Sequence, residues 1–192
     1  MMYDMHTLSS HFPPKNARTH EVCGPSAAMF AFALGGALGG KVFWVRQAWL
    51  GEAINPVGFA TFLDPKLLLM AQAPSHMDVL AVAEEALRSG DIALVVMELT
   101  QPIGLTEGRR LQLAAQAGQS TGLCILPEGM GSNAAQTRWH CAPVFDTRPT
   151  AEDSTLQCWK LIKNKSGTLA SWTVEWHAQT RRISVVSPSA QR

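Results

Sequence analysis

The turn after the first predicted strand has the spacing of a phosphate-binding loop but lacks most of its residues. Such a loop reads GxxxxGK followed by Ser or Thr. Its second glycine lets backbone N–H groups approach the phosphates, its lysine reaches the β- and γ-phosphates, and its hydroxyl binds Mg²⁺. Here the first glycine is kept, and three other residues replace the second glycine, the lysine and the hydroxyl. The residues of this degenerate loop are Gly24, Pro25, Ser26, Met29, Phe30 and Ala31.

These replacements remove every charged or metal-binding member of the loop. Met29 and Phe30 are bulky and apolar, so we expect them to pack where phosphates would sit. A neutral loop at a helix N-terminus attracts an anion only weakly. The sequence therefore predicts that the protein holds no nucleotide cofactor and is not an enzyme.

Two other features of a nucleotide-binding site are also weak. Residues 35–41 (GGALGGK) spell GxxxxGK, but Val42 follows them and they precede a strand, so we interpret them as a helix end and a turn. Glu98, at the end of a long apolar run, is the acid that could hold Mg²⁺. One acid without a lysine or hydroxyl partner makes no catalytic site, so we interpret Glu98 as buried or as a helix cap.

Neither a metal site nor a hydrolase site is predicted. His140 and Cys141 are adjacent, which is not zinc-ligand spacing. Ser75 and Asp78 are explained by helix capping, although His76 lies between them. The other histidines considered fall on a segment expected to be loose: His6, His11 and His20. The cysteines form no CxxC pair and are interpreted as buried free thiols in a reducing cytosol: Cys23, Cys124, Cys141 and Cys158.

Five strands that alternate with helices are predicted to position these residues. The strands are 20–24, 41–46, 66–71, 92–99 and 121–126. The helices are 25–38, 47–62 with breaks at Pro56 and Gly58, 75–90 and 106–118. We expect strand 66–71 to be buried, strand 92–99 to be central, and Ser75 and Thr106 to be helix N-caps. This alternation predicts a parallel sheet with helices on both faces.

Four further strands, at 134–142, 156–164, 171–177 and 182–186, follow without helices between them. They predict an antiparallel meander added to the parallel core. We divide the chain into an N-terminal arm (1–19), one domain (20–186) and a C-terminal tail (187–192).

Composition and charge narrow the classes of function. Of the 192 residues, 46% are hydrophobic and 16% charged, which excludes a disordered chain. The longest apolar stretch, 27–38, is too short to span a bilayer and no leader is evident, so we expect a cytoplasmic protein without membrane contact.

The net charge of +1 is unevenly distributed. Residues 1–137 carry 8 Lys/Arg against 11 Asp/Glu, a balance of −3, and residues 138–192 carry 8 against 4, a balance of +4. Basic groups beside Trp159 and Trp172 could hold single-stranded DNA by charge and stacking; the alternative is a solvated sheet face over core tryptophans. The candidate contacts with DNA or a partner are Arg109, Arg110, Arg138, Lys160, Lys163, Lys165, Arg181 and Arg182.

Several segments together resemble a known superfamily. Residues 21–25 (EVCGP) with the following helix, 84–98 (EEALRSGDIALVVME) and 161–167 (LIKNKSG) resemble the RecA recombinase core. Residues 108–115 (GRRLQLAA), 134–139 (AAQTRW) and 164–176, which end in WTVEW, more closely resemble the ImuA proteins, RecA-like accessory factors of bacterial damage-induced mutagenesis. The resemblance to SulA is more distant. The likeness covers about residues 20–177.

This resemblance implies an α/β fold: a RecA-like P-loop NTPase core with C-terminal antiparallel strands. It places Gln47 where the recombinase has a catalytic glutamate. It implies an inactive accessory protein of error-prone translesion synthesis. The expected partners are an ImuB-type polymerase-like protein, a specialised error-prone DNA polymerase and the RecA recombinase, with DNA contact and a homo-oligomer left open. The alternatives are a switch that binds ATP without cleaving it and a SulA-like inhibitor of cell division.

Overall fold

The computed structural model describes residues 8–148 and 154–186, which form one nine-stranded sheet flanked by helices. The strands are β1 (Thr19–Cys23), β2 (Val42–Gln47), β3 (Leu68–Ala73), β4 (Leu94–Glu98), β5 (Thr121–Ile125), β6 (Thr137–Pro143), β7 (Gln157–Asn164), β8 (Ala170–His177) and β9 (Arg182–Val185). The helices are α1 (Ala27–Leu38), α2 (Pro56–Phe59), α3 (His76–Arg88) and α4 (Leu105–Gly118).

Across the sheet the strands lie in the order β3-β2-β4-β5-β1-β6-β7-β8-β9, and the pairs from β3 to β6 are parallel. Helix α1 packs on one face with the apolar residues of β1, β2, β4 and β6. Helices α3 and α4 pack on the other face against the alternate residues of β2, β4 and β5. The predicted α/β class, the parallel sheet with helices on both faces and the C-terminal antiparallel strands are confirmed.

Strand β6 differs from the expectation of a four-strand meander. It pairs in parallel with β1, from His20 opposite Thr137 to Cys23 opposite His140, and only its other edge pairs antiparallel with β7. Residues 126–136 connect β5 to β6 and contain no helix. The predicted alternation of strands and helices did not include such a connection. The antiparallel extension therefore consists of β7, β8 and β9.

Strand β3 was expected to be buried, and it is instead the edge of the sheet. Leu69 is 46% exposed and Met70 45%, because nothing among the described residues pairs with the outer side of this strand. An apolar run alone cannot distinguish an edge strand from a central one, because strand order is a tertiary property.

Three residues predicted to break or cap a helix, Pro56, Gly58 and Thr106, have other positions in the structure. Pro56, expected to break a helix, begins α2, where its missing N–H costs nothing, and Gly58 lies inside that helix. Gly104, and not Thr106, is the N-cap of α4. The cap at Ser75 is confirmed: its side chain accepts from the Asp78 N–H at 3.2 Å.

Residues 8–18 lie against the domain. Leu8 is buried, and the Phe12 ring centroid lies 5.0 Å from that of Trp159 and 5.5 Å from that of Phe30. His20, expected on a loose segment, is fully buried in β1. Its Nδ1 lies 2.7 Å from the Thr137 hydroxyl and its Nε2 2.9 Å from the Lys15 carbonyl. His6 lies outside the described residues.

The antiparallel strands curl around α1. Trp176 of β8 stacks on Phe62 with ring centroids 4.7 Å apart, and a Cβ at Gly36 would lie 3.9 Å from the Trp176 ring. Twist accumulates across adjacent strands, so a sheet of this width turns its far strands toward the helix on its concave side. Helix α1 therefore lies between the parallel strands and β8, with Phe30, Ala33 and Leu34 fully buried and Ala28 exposed.

Candidate functional site

The turn between β1 and α1 is tight, and the N–H groups of Ser26 and Ala27 donate within the protein. Gly24 has φ +92°, and a Cβ at this position would lie 2.5 Å from the Cys141 carbonyl oxygen, so glycine is required here. The Ser26 N–H donates to that same carbonyl at 3.0 Å, and the Ala27 N–H donates to the Gly24 carbonyl at 3.1 Å. Pro25 has no N–H. Helix α1 therefore begins directly after a closed turn in which the Ser26 and Ala27 N–H groups, which a phosphate loop would leave free, are already used.

Phe30, at the lysine position, is fully buried in the core. Its ring centroid lies 4.8 Å from that of Trp159 and 5.3 Å from that of Trp139, so it packs between α1 and strands β6 and β7. Met29 is half-buried and its sulfur contacts the Gln157 side chain. The expectation that Met29 and Phe30 fill an empty phosphate cradle is wrong for Phe30. The turn itself closes the cradle, and Phe30 fills the space beneath the helix.

Glu98, in the position of a magnesium-binding acid, is held in an ion pair. Its Oε1 lies 3.1 Å from Nη2 of Arg46, and its Oε2 accepts from the Trp44 indole N–H at 3.1 Å. The Arg46 side chain is only 3% exposed and also donates to the Glu52 carbonyl. Neither interpretation made from the sequence is right: Glu98 is 24% exposed and caps no helix. Its charge balances a buried arginine.

Gln47, at the position of the missing catalytic glutamate, links two loops. With its amide oriented to satisfy its neighbours, it donates to the Thr100 hydroxyl at 2.8 Å. Its oxygen then accepts from the Trp49 indole N–H at 3.1 Å. An amide cannot accept a proton from water at neutral pH, and this one has its hydrogen bonds filled. Gln47 therefore acts as a spacer between the ends of β2 and β4.

The residues at this edge of the sheet do not fit a nucleotide with Mg²⁺. The turn presents no lysine, its Ser26 and Ala27 N–H groups already have acceptors within the protein, and Glu98 at the end of β4 pairs with Arg46. Among residues 8–148 and 154–186, no three His, Cys, Asp or Glu side chains are grouped so that they could hold a metal ion. Burial raises the pKa of the Cys23, Cys124 and Cys141 thiols, which leaves them unreactive in the core.

Three of the predicted contact residues form hydrogen bonds or ion pairs with other residues of the same chain. Arg138 pairs with the buried carboxylate of Glu21 at 2.7 Å and also donates to the Ser132 carbonyl at 3.2 Å. Lys163 donates to that carbonyl at 2.7 Å, and Lys165 donates to the Ala134 carbonyl at 2.7 Å. Burial lowers the pKa of Lys163. These cations hold the connection 126–136 against the sheet.

The other five predicted contacts are scattered and do not form a single patch with the tryptophans. Arg110 pairs with Glu84 at 2.8 Å, and Arg181 reaches the Ala60 carbonyl at 3.4 Å. Arg109, Lys160 and Arg182 are exposed. Trp159 and Trp172 are buried at 1% and 3% exposure and face α1, whereas Lys160 is on the other face of β7. The tryptophans are not available to stack on bases; contact between the cations and DNA or a partner stays a prediction.

Two charged residues were missed in the sequence. Arg46 follows four apolar residues near the end of β2, and Glu21 occupies the middle of β1. A charge inside an apolar strand is the available signal, because a buried charge requires a partner. Their partners, Glu98 and Arg138, lie on neighbouring strands whose order the sequence does not give.

Comparison with known proteins supports the fold. No family model matches the chain, and no curated protein matches it by sequence. Among solved structures it is similar to the crystal structure of the RadB recombinase, with a TM-score of 0.67 and 15% sequence identity. The alignment covers 97% of this chain and 100% of that chain. The likeness is one of fold: the chain has a RecA-like α/β architecture over nearly its whole length.

Proposed function

We propose that this protein is a catalytically inactive RecA-like accessory protein that acts by binding other proteins in damage-induced, error-prone translesion DNA synthesis. The observation that carries the proposal is the closed turn at Gly24–Ser26, together with the pairing of Glu98 to Arg46. A recombinase-like domain without a working nucleotide site can still act through the surfaces with which it binds other proteins. The segments that resemble ImuA supply the pathway, and the recombinase name of the structural neighbour is consistent with a role at DNA.

The proposed partners are an ImuB-type polymerase-like protein, a specialised error-prone polymerase and the recombinase itself. Such a role belongs in the bacterial cytoplasm. No helix in the part of the chain that the structure describes has both the length and the apolar character needed to cross a membrane. The exposed edge strand β3, with Leu69 and Met70, leaves room for self-association.

The decisive experiment is co-purification of the full chain with an ImuB-type polymerase-like protein. We expect a complex at micromolar concentration. No association there, with both proteins folded by circular dichroism, overturns the proposal. The Phe30→Lys variant, which should lose its fold, shows whether the complex requires the folded domain.

Titration with ATP and Mg²⁺ separates the proposal from a nucleotide-triggered switch. We expect no binding tighter than about 10⁻⁴ M, which corresponds to about −5 kcal/mol. Tighter binding favours the switch. Filamentation of cells that overexpress the protein, without any effect on damage-induced mutation, favours the SulA-like division inhibitor.

A further inference from the structure

A groove of about 680 Å³ runs beside the last strand of the sheet, far from the turn at Gly24. One wall is formed by residues 8–13, another by Gly36 and Ala37 in the last turns of α1, and the third by β8 and β9. The interior is largely apolar and includes Leu8, Phe12 and Ile183. No chemistry assigned above uses this groove.

The groove follows the backbone edge of β9. Consecutive residues from Thr180 to Val185 line it, although successive side chains of a strand point to opposite faces of a sheet. A groove that touches all of them must therefore run along the edge of the strand. Among the described residues β9 pairs only with β8, so the backbone groups on its outer side are open to a further strand.

The polar groups around the groove favour an acidic ligand. Arg182 is exposed, and its side chain makes no hydrogen bond or ion pair within the described residues. Among the described residues the Arg181 side chain makes a 3.4 Å contact with the Ala60 carbonyl and interacts electrostatically with Asp64, which is already paired with Lys66 at 3.0 Å. Two guanidinium groups that adjoin an open strand edge complement a chain bearing carboxylates.

Trp176 adds a second, independent feature. It lines the groove, and its buried Nε1 has no hydrogen-bond acceptor among the described residues. Buried indole N–H groups normally find an acceptor, because leaving one unsatisfied costs free energy. This N–H lies beneath the groove surface, so a peptide carbonyl or carboxylate supplies the acceptor only if the Trp176 ring shifts when the peptide binds.

We propose that this groove binds an extended, acidic and apolar peptide segment of a partner protein as an added strand on β9. Apolar side chains of the peptide enter the space between Phe12 and Ile183, carboxylates pair with Arg181 and Arg182, and an oxygen accepts from Trp176. The inference does not depend on the partner being a polymerase, so it stands even if the proposed function fails.

The test uses the full chain labelled with ¹⁵N and a library of hexapeptides that alternate Asp with Leu, Ile, Val or Phe. A matched library carries Lys in place of Asp. We expect acidic peptides to bind with a dissociation constant of about 10⁻⁵ M, roughly tenfold tighter than basic ones. The indole N–H resonance of Trp176, assigned by its loss in Trp176→Phe, should shift on binding because it gains an acceptor.

Variants of the groove and a control separate specific from general charge effects. The double variant Arg181→Glu with Arg182→Glu should lose about tenfold or more in affinity for the acidic peptides. Trp176→Phe should lose about fivefold while keeping the stacking on Phe62. Lys160→Glu removes a cation from β7, two strands away from β9 in the sheet, and should bind the peptides as the unchanged protein does.

Three results would overturn the proposal. The first is the absence of binding by any peptide at about 1 mM. The second is binding that the double arginine variant does not weaken. The third is binding that appears only after residues 1–7 are removed, which would make the chain's own N-terminus the occupant of the groove. If the acidic peptides bind but the polymerase-like protein does not, this result counts against the proposed function alone.

Discussion

Placing a lysine at position 30 tests whether the nucleotide site is closed or only mutated. Phe30→Lys restores the lysine of a phosphate loop. If the loop were merely degenerate, the new side chain would reach solvent or phosphate at little cost. In the structure position 30 is fully buried between Trp139 and Trp159, so the ammonium group would have no water and no acidic partner.

The cost follows from burial. Truncating a buried Phe costs roughly 3–5 kcal/mol, of which the lysine stem recovers part. Keeping the lysine neutral at pH 7, against its ordinary pKa of about 10.4, costs about 5 kcal/mol more. The sum is comparable with the whole stability of an ordinary domain, about 5–15 kcal/mol. We therefore expect Phe30→Lys to be largely unfolded or to unfold in very little urea.

The pH dependence gives the prediction its sign. The unfolded variant binds a proton on the lysine and the folded variant does not, so stability rises with pH. Relative to the unchanged protein, Phe30→Lys should gain about 1.4 kcal/mol per pH unit between pH 7 and pH 9. Urea unfolding followed by circular dichroism at pH 7, 8 and 9 measures this slope.

Ala28→Lys is the matched control, because Ala28 is exposed in the same turn of α1. It should change stability by about 1 kcal/mol or less and show no such slope. Phe30→Leu, which should cost about 1.5 kcal/mol, reports on packing if the lysine variant does not fold at all. The reasoning is refuted if Phe30→Lys matches Ala28→Lys in stability and pH dependence, above all if it then binds ATP.

Three further predictions concern the buried polar groups. Glu98→Gln leaves the Arg46 charge unpaired and should cost about 2–3 kcal/mol in urea unfolding, below the value for a fully buried pair because Glu98 is 24% exposed. Asp64→Asn in the exposed Lys66 pair should leave the stability almost unchanged, and an equal loss of stability in both variants would contradict the assigned role of Glu98. Burial lowers the pKa of His20 to about 4, so below its ordinary pKa the unfolded state binds a proton that the folded state does not. The protein should therefore lose about 3 kcal/mol of stability between pH 6.5 and pH 4. His20→Gln should abolish this loss, and a loss that persists in the variant would exclude His20 as its source. The Glu21 carboxylate accepts the Ser132 N–H at 2.7 Å, so Glu21→Gln should weaken this hydrogen bond and let the Ser132 amide exchange with deuterium about tenfold faster. Glu128→Gln, a change in the connection 126–136 that contains Ser132, should leave this exchange rate unchanged. Equal exchange in both variants would refute the anchoring role of Glu21.

Much of the fold could be predicted because its signals are local. Ser75 and Asp78 form a cap within one turn of chain, and the apolar run at β4 needs two covered faces wherever it lies. The edge position of β3 and the parallel pairing of β6 could not be predicted in this way. Both depend on which strand lies beside which, and that order is set by packing among residues far apart in sequence.

The sequence alone determined that position 24 is glycine and that the lysine, hydroxyl and second glycine of a phosphate loop are missing, since chemical groups that a chain lacks cannot be restored by folding. The tertiary structure decided what became of the space. Cys141, far along the chain, accepts the Ser26 N–H and closes the turn, and Trp139 and Trp159 take Phe30 into the core. Arg46 meets Glu98 only because β2 and β4 are neighbours in the sheet. Each of these contacts joins distant segments, and a buried donor or charge finds its partner only when the whole sheet has assembled.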